Sequence, residues 1–140
     1  MSSRVQSDVN DLMRQANWAE ASRLLRDQLE PQPINARLQA QLGYCCFQMR
    51  DYAAAEEAFR RASMIDTRFW QAGRMHAECL DRLGRYEDAL LVAEHWRVVE
   101  PNDPFLEHLT EGLRRQVANN SGAWTKTINP NWHTVQFTDE

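Results

Sequence analysis

The sequence predicts an all-α fold in which helix hairpins stack into an α-solenoid, closed by one C-terminal helix and followed by an extended tail. Three observations predict this fold. Similar residues recur at an interval of 34 positions, the apolar residues inside each interval are three and four positions apart, and turn-forming residues separate the helical stretches. A fixed interval of this length is typical of stacked two-helix units.

The 34-residue interval brings side chains of similar size or type into register. The matching sets are Trp18 with Tyr52 and Tyr86, Ala21 with Ala55 and Ala89, Leu25 with Phe59, Cys45 with Cys79, and Pro33 with Pro101 two intervals later. One such match would mean little. Many matches at a single offset indicate a duplicated structural unit.

Each unit contains two predicted helices, because its apolar residues follow a helical period. In the middle unit these residues are Leu38, Leu42, Cys45, Cys46 and Met49, then Ala55, Phe59 and Ala62. Short polar turns separate the two helices at Ala16-Asn17, Arg50-Asp51 and Gly84-Arg85. Gly84 is expected in the left-handed conformation that commonly ends a helix. Breaks between units fall at Pro31-Gln32-Pro33, Asp66-Thr67 and Pro101-Asn102-Asp103-Pro104. At the first and the last of these breaks, prolines cannot continue a helix.

These breaks predict one repeat domain over 1–118. It consists of units at about 2–35, 36–69 and 70–103 and a closing helix over 104–118. The closing helix is expected to turn an inner stripe of Phe105, Leu106, Leu109 and Leu113 toward the last unit.

Residues 119–140 form the predicted tail, which begins with the linker-like Asn119-Asn120-Ser121-Gly122 and then becomes rich in aromatic residues. Because disordered segments are usually poor in aromatics, we expect this tail to dock on a groove of its own chain or of a second copy. The alternative is a free tail whose aromatics serve a separate partner.

The repeated pattern resembles the tetratricopeptide repeat (TPR) family, whose units carry Leu-Gly, an aromatic, Ala-x3-Phe, Ala and a closing Pro. The middle unit matches best, with Leu42-Gly43, Tyr52, Ala55, Phe59 and Ala62, and has Thr67 in place of the proline. The third unit keeps Ala77, Tyr86, Ala89 and Pro101 but has His76, Ala93 and Trp96 where Leu, Phe and Ala are usual. Its packing is therefore expected to differ locally.

The resemblance implies a concave wall, lined by the first helix of each unit, that holds a peptide segment of a partner protein. The positions that it assigns to this wall are Arg37, Ala40, Tyr44, Phe47 and Gln48 in the middle unit, and Gln71, Arg74, Glu78, Asp81 and Arg82 in the third. We expect Tyr44 and Phe47 to anchor an apolar segment and the charges to set its register. The alternative is that both aromatics pack on the first unit or under the tail.

Two subgroups of the family can be compared. One binds a C-terminal carboxylate with Lys, Asn and Arg at fixed positions, which here hold Gln6, Asn10, Gln41, Gln71 and Met75. Only Asn10 agrees, so no carboxylate clamp is predicted. The layout of three units and a closing helix is also similar to that of bacterial type III secretion chaperones for translocator proteins.

Composition argues against several kinds of ligand. The net charge is -4, and Lys126 is the one lysine among 16 basic residues, which disfavours nucleic acid and an acidic membrane surface. The first ten residues lack the apolar run of a signal peptide, and no stretch approaches the length of a membrane span. The three cysteines all fall in predicted helices, as expected for buried thiols of a reducing compartment, so we expect a cytoplasmic protein.

No motif predicts an enzyme, a metal site or a cofactor. His76-Ala77-Glu78-Cys79 resembles the His-x-Glu element of zinc deaminases, but the required Pro-Cys-x-x-Cys is missing, and His76 is expected in the interior near Trp96. The predicted function is therefore a protein-binding scaffold or chaperone. The alternative is a structural assembly subunit whose groove holds its own or a neighbour's tail, with a homo-oligomer as one possible result.

Overall fold

A computed structural model describes residues 2–128 of the chain, with side chains described over 8–120. The elements are α1 (Ser2–Arg14), α2 (Trp18–Leu29), α3 (Ala36–Gln48), α4 (Tyr52–Ile65), α5 (Trp70–Arg82), α6 (Tyr86–Val99) and α7 (Pro104–Ile128). Residues 2–128 contain no β-strand. The predicted all-α fold is confirmed.

The helices stack in chain order, so that each one packs mainly on the helix before it and the helix after it. Contacts also join alternate helices: Gln41 of α3 donates a hydrogen bond to Asn10 of α1 at 3.3 Å, and α5 contacts α7. The first helices of the hairpins, α1, α3 and α5, therefore lie side by side with α7 in one layer. The second helices, α2, α4 and α6, form the other layer.

The turn inside each hairpin contains one residue with a positive φ angle. These residues are Ala16 (60°), Arg50 (63°) and Gly84 (79°), which are spaced 34 residues apart. Gly84 is left-handed as predicted. At Ala16 and Arg50 the same backbone is imposed on residues that have a Cβ, which costs about 1–2 kcal/mol at each site.

Caps and close packing fix the helices. The side chains of Asn35 and Asp51 accept hydrogen bonds from the amides of Leu38 and Ala54 at the starts of α3 and α4. The core runs between the layers and includes Val9, Leu25, Leu38, Cys45, Cys79 and Leu106, each exposed by no more than 1%.

The third unit compensates for the large Trp96 with a glycine on the facing helix. A Cβ on Gly73 would lie 2.1 Å from Cε2 of Trp96, so the indole occupies the space above the α5 backbone. The equivalent residues of the middle unit, 34 positions earlier, are Gln39 and Ala62. The large residue is therefore on the first helix in the middle unit and on the second helix in the third unit, which agrees with the local difference in packing that the sequence predicted.

Two expectations about the closing helix are wrong. Helix α7 continues through Ile128 and not only to Ala118, because asparagine, serine and glycine weaken a helix without ending it, whereas Pro130 is the first residue that cannot continue it. Phe105 is not on the inner stripe either, since its side chain is 68% exposed while Leu106, Thr110 and Leu113 are buried. The rest of the tail, 129–140, lies outside the described residues.

Candidate functional site

The ten predicted wall residues lie on the layer of first helices, and none of them is fully buried. Arg37, Tyr44, Gln48, Gln71 and Arg82 are exposed, whereas Ala40, Phe47, Arg74, Glu78 and Asp81 are half-buried. The structure brings the guanidinium of Arg82 over the ring of Phe47. The rings of Tyr44 and Phe47 pack on aromatic rings of different helices, α2 and α4.

Tyr44 is the most exposed aromatic ring on α3. Its ring meets that of Trp18 edge to face, with 5.5 Å between centroids, and its residue stays 41% exposed. Tyr44 therefore packs partly on the first unit, as the alternative expected, and partly faces solvent. An aromatic ring that is held on one edge and open on the other is suited to anchor a partner residue.

Phe47 is held more tightly than the sequence suggested. Its ring lies edge to face on Tyr52, with 5.2 Å between centroids, and the guanidinium of Arg82 sits 5.2 Å from the Phe47 centroid. Arg82 also donates a hydrogen bond to the Tyr52 hydroxyl at 3.1 Å. These contacts join α3, α4 and α5, so Phe47 and Arg82 hold three helices together at the predicted wall.

Arg74 joins α5 to the start of α7. Its guanidinium lies 5.9 Å from the Trp70 centroid and 5.1 Å from the Phe105 centroid, distances at which a cation is attracted to an aromatic face. The Asp103 carboxylate, which is buried, is 4.0 Å from Arg74 Nη1. Phe105 was not among the predicted wall residues, although it stands 34 positions after Gln71 and an extension of the repeat would have included it.

Glu78 and Asp81 carry the acidic charges of the wall. Neither forms an ion pair within 4.0 Å of another residue among those described. Burial raises the pKa of Asp81, and the neighbouring charge of Arg82 opposes that rise.

A pocket of about 330 Å³ opens between α5 and α7, and it is lined by Arg74, Glu78, Phe105, His108 and Leu109.

Among the carboxylate-clamp positions, only Asn10 holds a residue type that the clamp uses. The Asn10 and Gln41 amides bond to each other, and Met75 packs against the core. The side chain of Gln6 lies outside the described residues. This arrangement gives no support to a clamp.

His76 lies in the interior, as the sequence predicted, and its Nε2 is 2.8 Å from Oε2 of Glu56. Burial lowers the pKa of His76, while the hydrogen bond to Glu56 works in the opposite direction. Glu56 could not be identified from the sequence as the partner of His76, since only tertiary packing brings α4 against α5 at this point. Arg60 Nε lies 3.7 Å from the same carboxylate.

The three cysteines are buried, and the described residues contain no cluster of metal ligands. Burial raises the pKa of Cys45 to about 11 and that of Cys79 to about 12, so both thiols stay protonated near neutral pH. No group of three or more His, Cys, Asp or Glu side chains converges as a metal site would require within that part. None of its helices is both long and apolar enough to cross a membrane.

The chain is similar to known proteins in part of its sequence and in its fold. No family model matches the sequence. Human intraflagellar transport protein 70B is 29% identical over 85 residues, which are 61% of this chain and 13% of that protein, so the chain spans a small part of that relative.

Several solved structures superpose closely. The first TPR of Spaghetti (RPAP3), bound to the HSP90 peptide SRMEEVD, has a TM-score of 0.77 at 18% identity, covering 81% of this chain and 90% of that one. The Sgt2 TPR domain from Aspergillus fumigatus gives 0.77 at 17% identity, with 86% and 81% covered. The Yersinia enterocolitica type III secretion chaperone SycD, in complex with a peptide of the translocator YopD, gives 0.76 at 16% identity, with 81% and 92% covered. The chain therefore has the tetratricopeptide-repeat fold that its repeated pattern predicted, and it shares this architecture with a secretion chaperone.

Proposed function

We propose that this chain is a scaffold or chaperone that binds a peptide segment of a partner protein in the concave groove formed by α1, α3, α5 and α7. The observation that carries the proposal is the placement of Tyr44. Its ring is anchored on Trp18 yet remains 41% exposed in the middle of α3, on the same face as exposed Arg37 and Gln48. The RPAP3 and SycD structures, which share the fold, each contain a bound peptide.

Some wall residues are proposed to contact the partner, and others maintain the shape of the wall. Tyr44 supplies an apolar contact, and Glu78 and Asp81 supply negative charges that form no ion pair within 4.0 Å among the described residues. Phe47, Arg74 and Arg82 hold the wall in shape through their contacts with neighbouring aromatic rings. The three buried, unpaired thiols fit a reducing compartment such as the cytoplasm.

Tyr44→Ala tests the proposal, with Leu91→Ala as the matched control. Leu91 is 68% exposed on α6, in the layer of second helices, so both changes trim an exposed apolar side chain. Tagged wild type and both variants are used to capture proteins from the native host, and the recovered partner is quantified by mass spectrometry. Loss of an interface anchor costs about 2 kcal/mol, which corresponds to more than a tenfold loss of affinity.

We expect the partner to be recovered with wild type and with Leu91→Ala, and to be lost with Tyr44→Ala while its circular dichroism spectrum is unchanged. Equal recovery by Tyr44→Ala and wild type would refute the proposed groove. A loss confined to Leu91→Ala would place the binding surface on the opposite layer.

A further inference from the structure

The pocket between α5 and α7 has the chemistry of a site for a single long side chain. One wall is the ring of Phe105, which is 68% exposed, and another is the aliphatic side chain of Leu109. Glu78 is the one carboxylate among its lining residues. At about 330 Å³ the pocket is at the small end of ligand sites and suits one side chain of a larger partner.

Glu78 is unpaired although arginines stand four residues before it and four residues after it. Side chains four apart on a helix are neighbours, and Glu and Arg at that spacing commonly pair. Here the Arg74 guanidinium lies over Trp70 and Phe105 instead, and that of Arg82 lies over Phe47 and Tyr52. Neither reaches Glu78 within the 4.0 Å of an ion pair, because aromatic rings of α3, α4, α5 and α7 attract both cations.

Each of the two neighbouring arginines has an acidic residue of its own, which leaves the Glu78 carboxylate without an opposite charge beside it among the described residues. Arg74 is opposed by the buried Asp103 carboxylate at 4.0 Å, and Arg82 is opposed by the adjacent Asp81. Glu78 is itself half-buried, where a carboxylate attracts a cation more strongly than it does in open water. Beside it, the ring of Phe105, which has the Arg74 guanidinium 5.1 Å from its centroid, is 68% exposed and offers an apolar surface for the stem of a long side chain.

We propose that this pocket binds a basic side chain, arginine or lysine, of the partner segment. The inference rests on the proposed function and specifies which side-chain chemistry the groove recognises between α5 and α7. The aliphatic stem lies along Phe105 and Leu109, and the cationic head pairs with Glu78. Both basic residues share this chemistry, so either one satisfies the site.

Small probes can test the pocket without the partner. The full ¹⁵N-labelled chain is titrated near neutral pH with N-acetyl-L-arginine methylamide, with the lysine equivalent, with the uncharged citrulline equivalent and with the glutamate equivalent. We expect saturable shifts of the amides of Arg74, Glu78 and residues 105–109 with the arginine or lysine probe. The citrulline probe should bind at least tenfold more weakly, which corresponds to about 1.4 kcal/mol.

Glu78→Gln removes the charge while keeping the shape, and should abolish saturation by the basic probes. Glu111→Gln, which makes the same change at an exposed site of α7 outside the pocket lining, should respond like wild type. Unchanged amide spectra elsewhere will show that each variant is folded.

Three results would overturn the inference: citrulline binding as tightly as arginine, the glutamate probe saturating the same amides, or Glu78→Gln binding like wild type. A failure of the pocket proposal can be distinguished from a failure of the groove proposal. If Tyr44→Ala loses the partner while the basic probes give no response, this pocket is refuted and the groove stands. If the probes saturate but Tyr44→Ala keeps the partner, the groove proposal is refuted.

Discussion

The contact between Gly73 and Trp96 allows a sharp test of the packing. In Gly73→Ala, the new Cβ would lie 2.1 Å from Trp96 Cε2, whereas carbon atoms pack at about 3.5–4.0 Å. Trp96 is only 4% exposed, so the indole cannot move into solvent and the helices must separate. Overpacking of this kind costs up to about 3 kcal/mol, and the better helix propensity of alanine returns about 1 kcal/mol. We expect a net loss of about 2 kcal/mol in the free energy of unfolding.

Gly112→Ala is the matched control, because a Cβ at this helical position of α7 meets nothing within 4 Å. It should raise the free energy of unfolding by about 1 kcal/mol. Urea denaturation followed by circular dichroism measures both variants. Gly73→Ala should become much less harmful in a Trp96→Leu background, since the nearest indole atoms are then gone. If Gly73→Ala is stabilising like Gly112→Ala, or if its loss is unchanged by Trp96→Leu, the described packing is incorrect.

Three further outcomes are expected. Arg50→Gly should raise the free energy of unfolding by about 1 kcal/mol, and Gly84→Ala should lower it by a similar amount, because both residues have positive φ angles; urea denaturation that shows the opposite signs would contradict the turn geometry. Because burial lowers the pKa of His76, the unfolded chain binds the proton first as the pH falls below 6.5, so stability should decrease on acidification. His76→Leu should fold, keep partner binding and lack that part of the pH dependence, whereas a variant with an unaltered pH profile would exclude His76 as its source. The three buried thiols should react with a thiol reagent such as Ellman's only after denaturation, and rapid labelling of the native chain would show that they are accessible.

The features that follow local or periodic rules could be predicted from the sequence. The 34-residue interval, the helix pairs and the left-handed Gly84 all belong to this class, since each depends on residues close together in the chain. The sequence also marked Trp96 as unusual for its position. It could not show that Gly73 makes room for it, because that contact joins two different helices.

The details of the groove depend on tertiary contacts and were harder to predict. Arg74 and Arg82 were expected to set the register of a bound segment, but rings contributed by other helices attract them. Charge reversal at either arginine would disturb the wall as well as any bound segment. Substitution of Tyr44 is therefore a better test of partner binding than charge reversal at either arginine, and substitution of Glu78 is a better test of charge recognition.

The central claim is that the layer of first helices receives a segment of another protein. The most direct measurement replaces Tyr44 with the photo-crosslinking residue p-benzoyl-L-phenylalanine in the native host, with Leu91 replaced in the same way on the opposite layer. Irradiation should produce a discrete adduct with a partner at position 44 and none at position 91. An adduct formed only at position 91, or no adduct at position 44 under conditions where the partner is captured, would contradict the account.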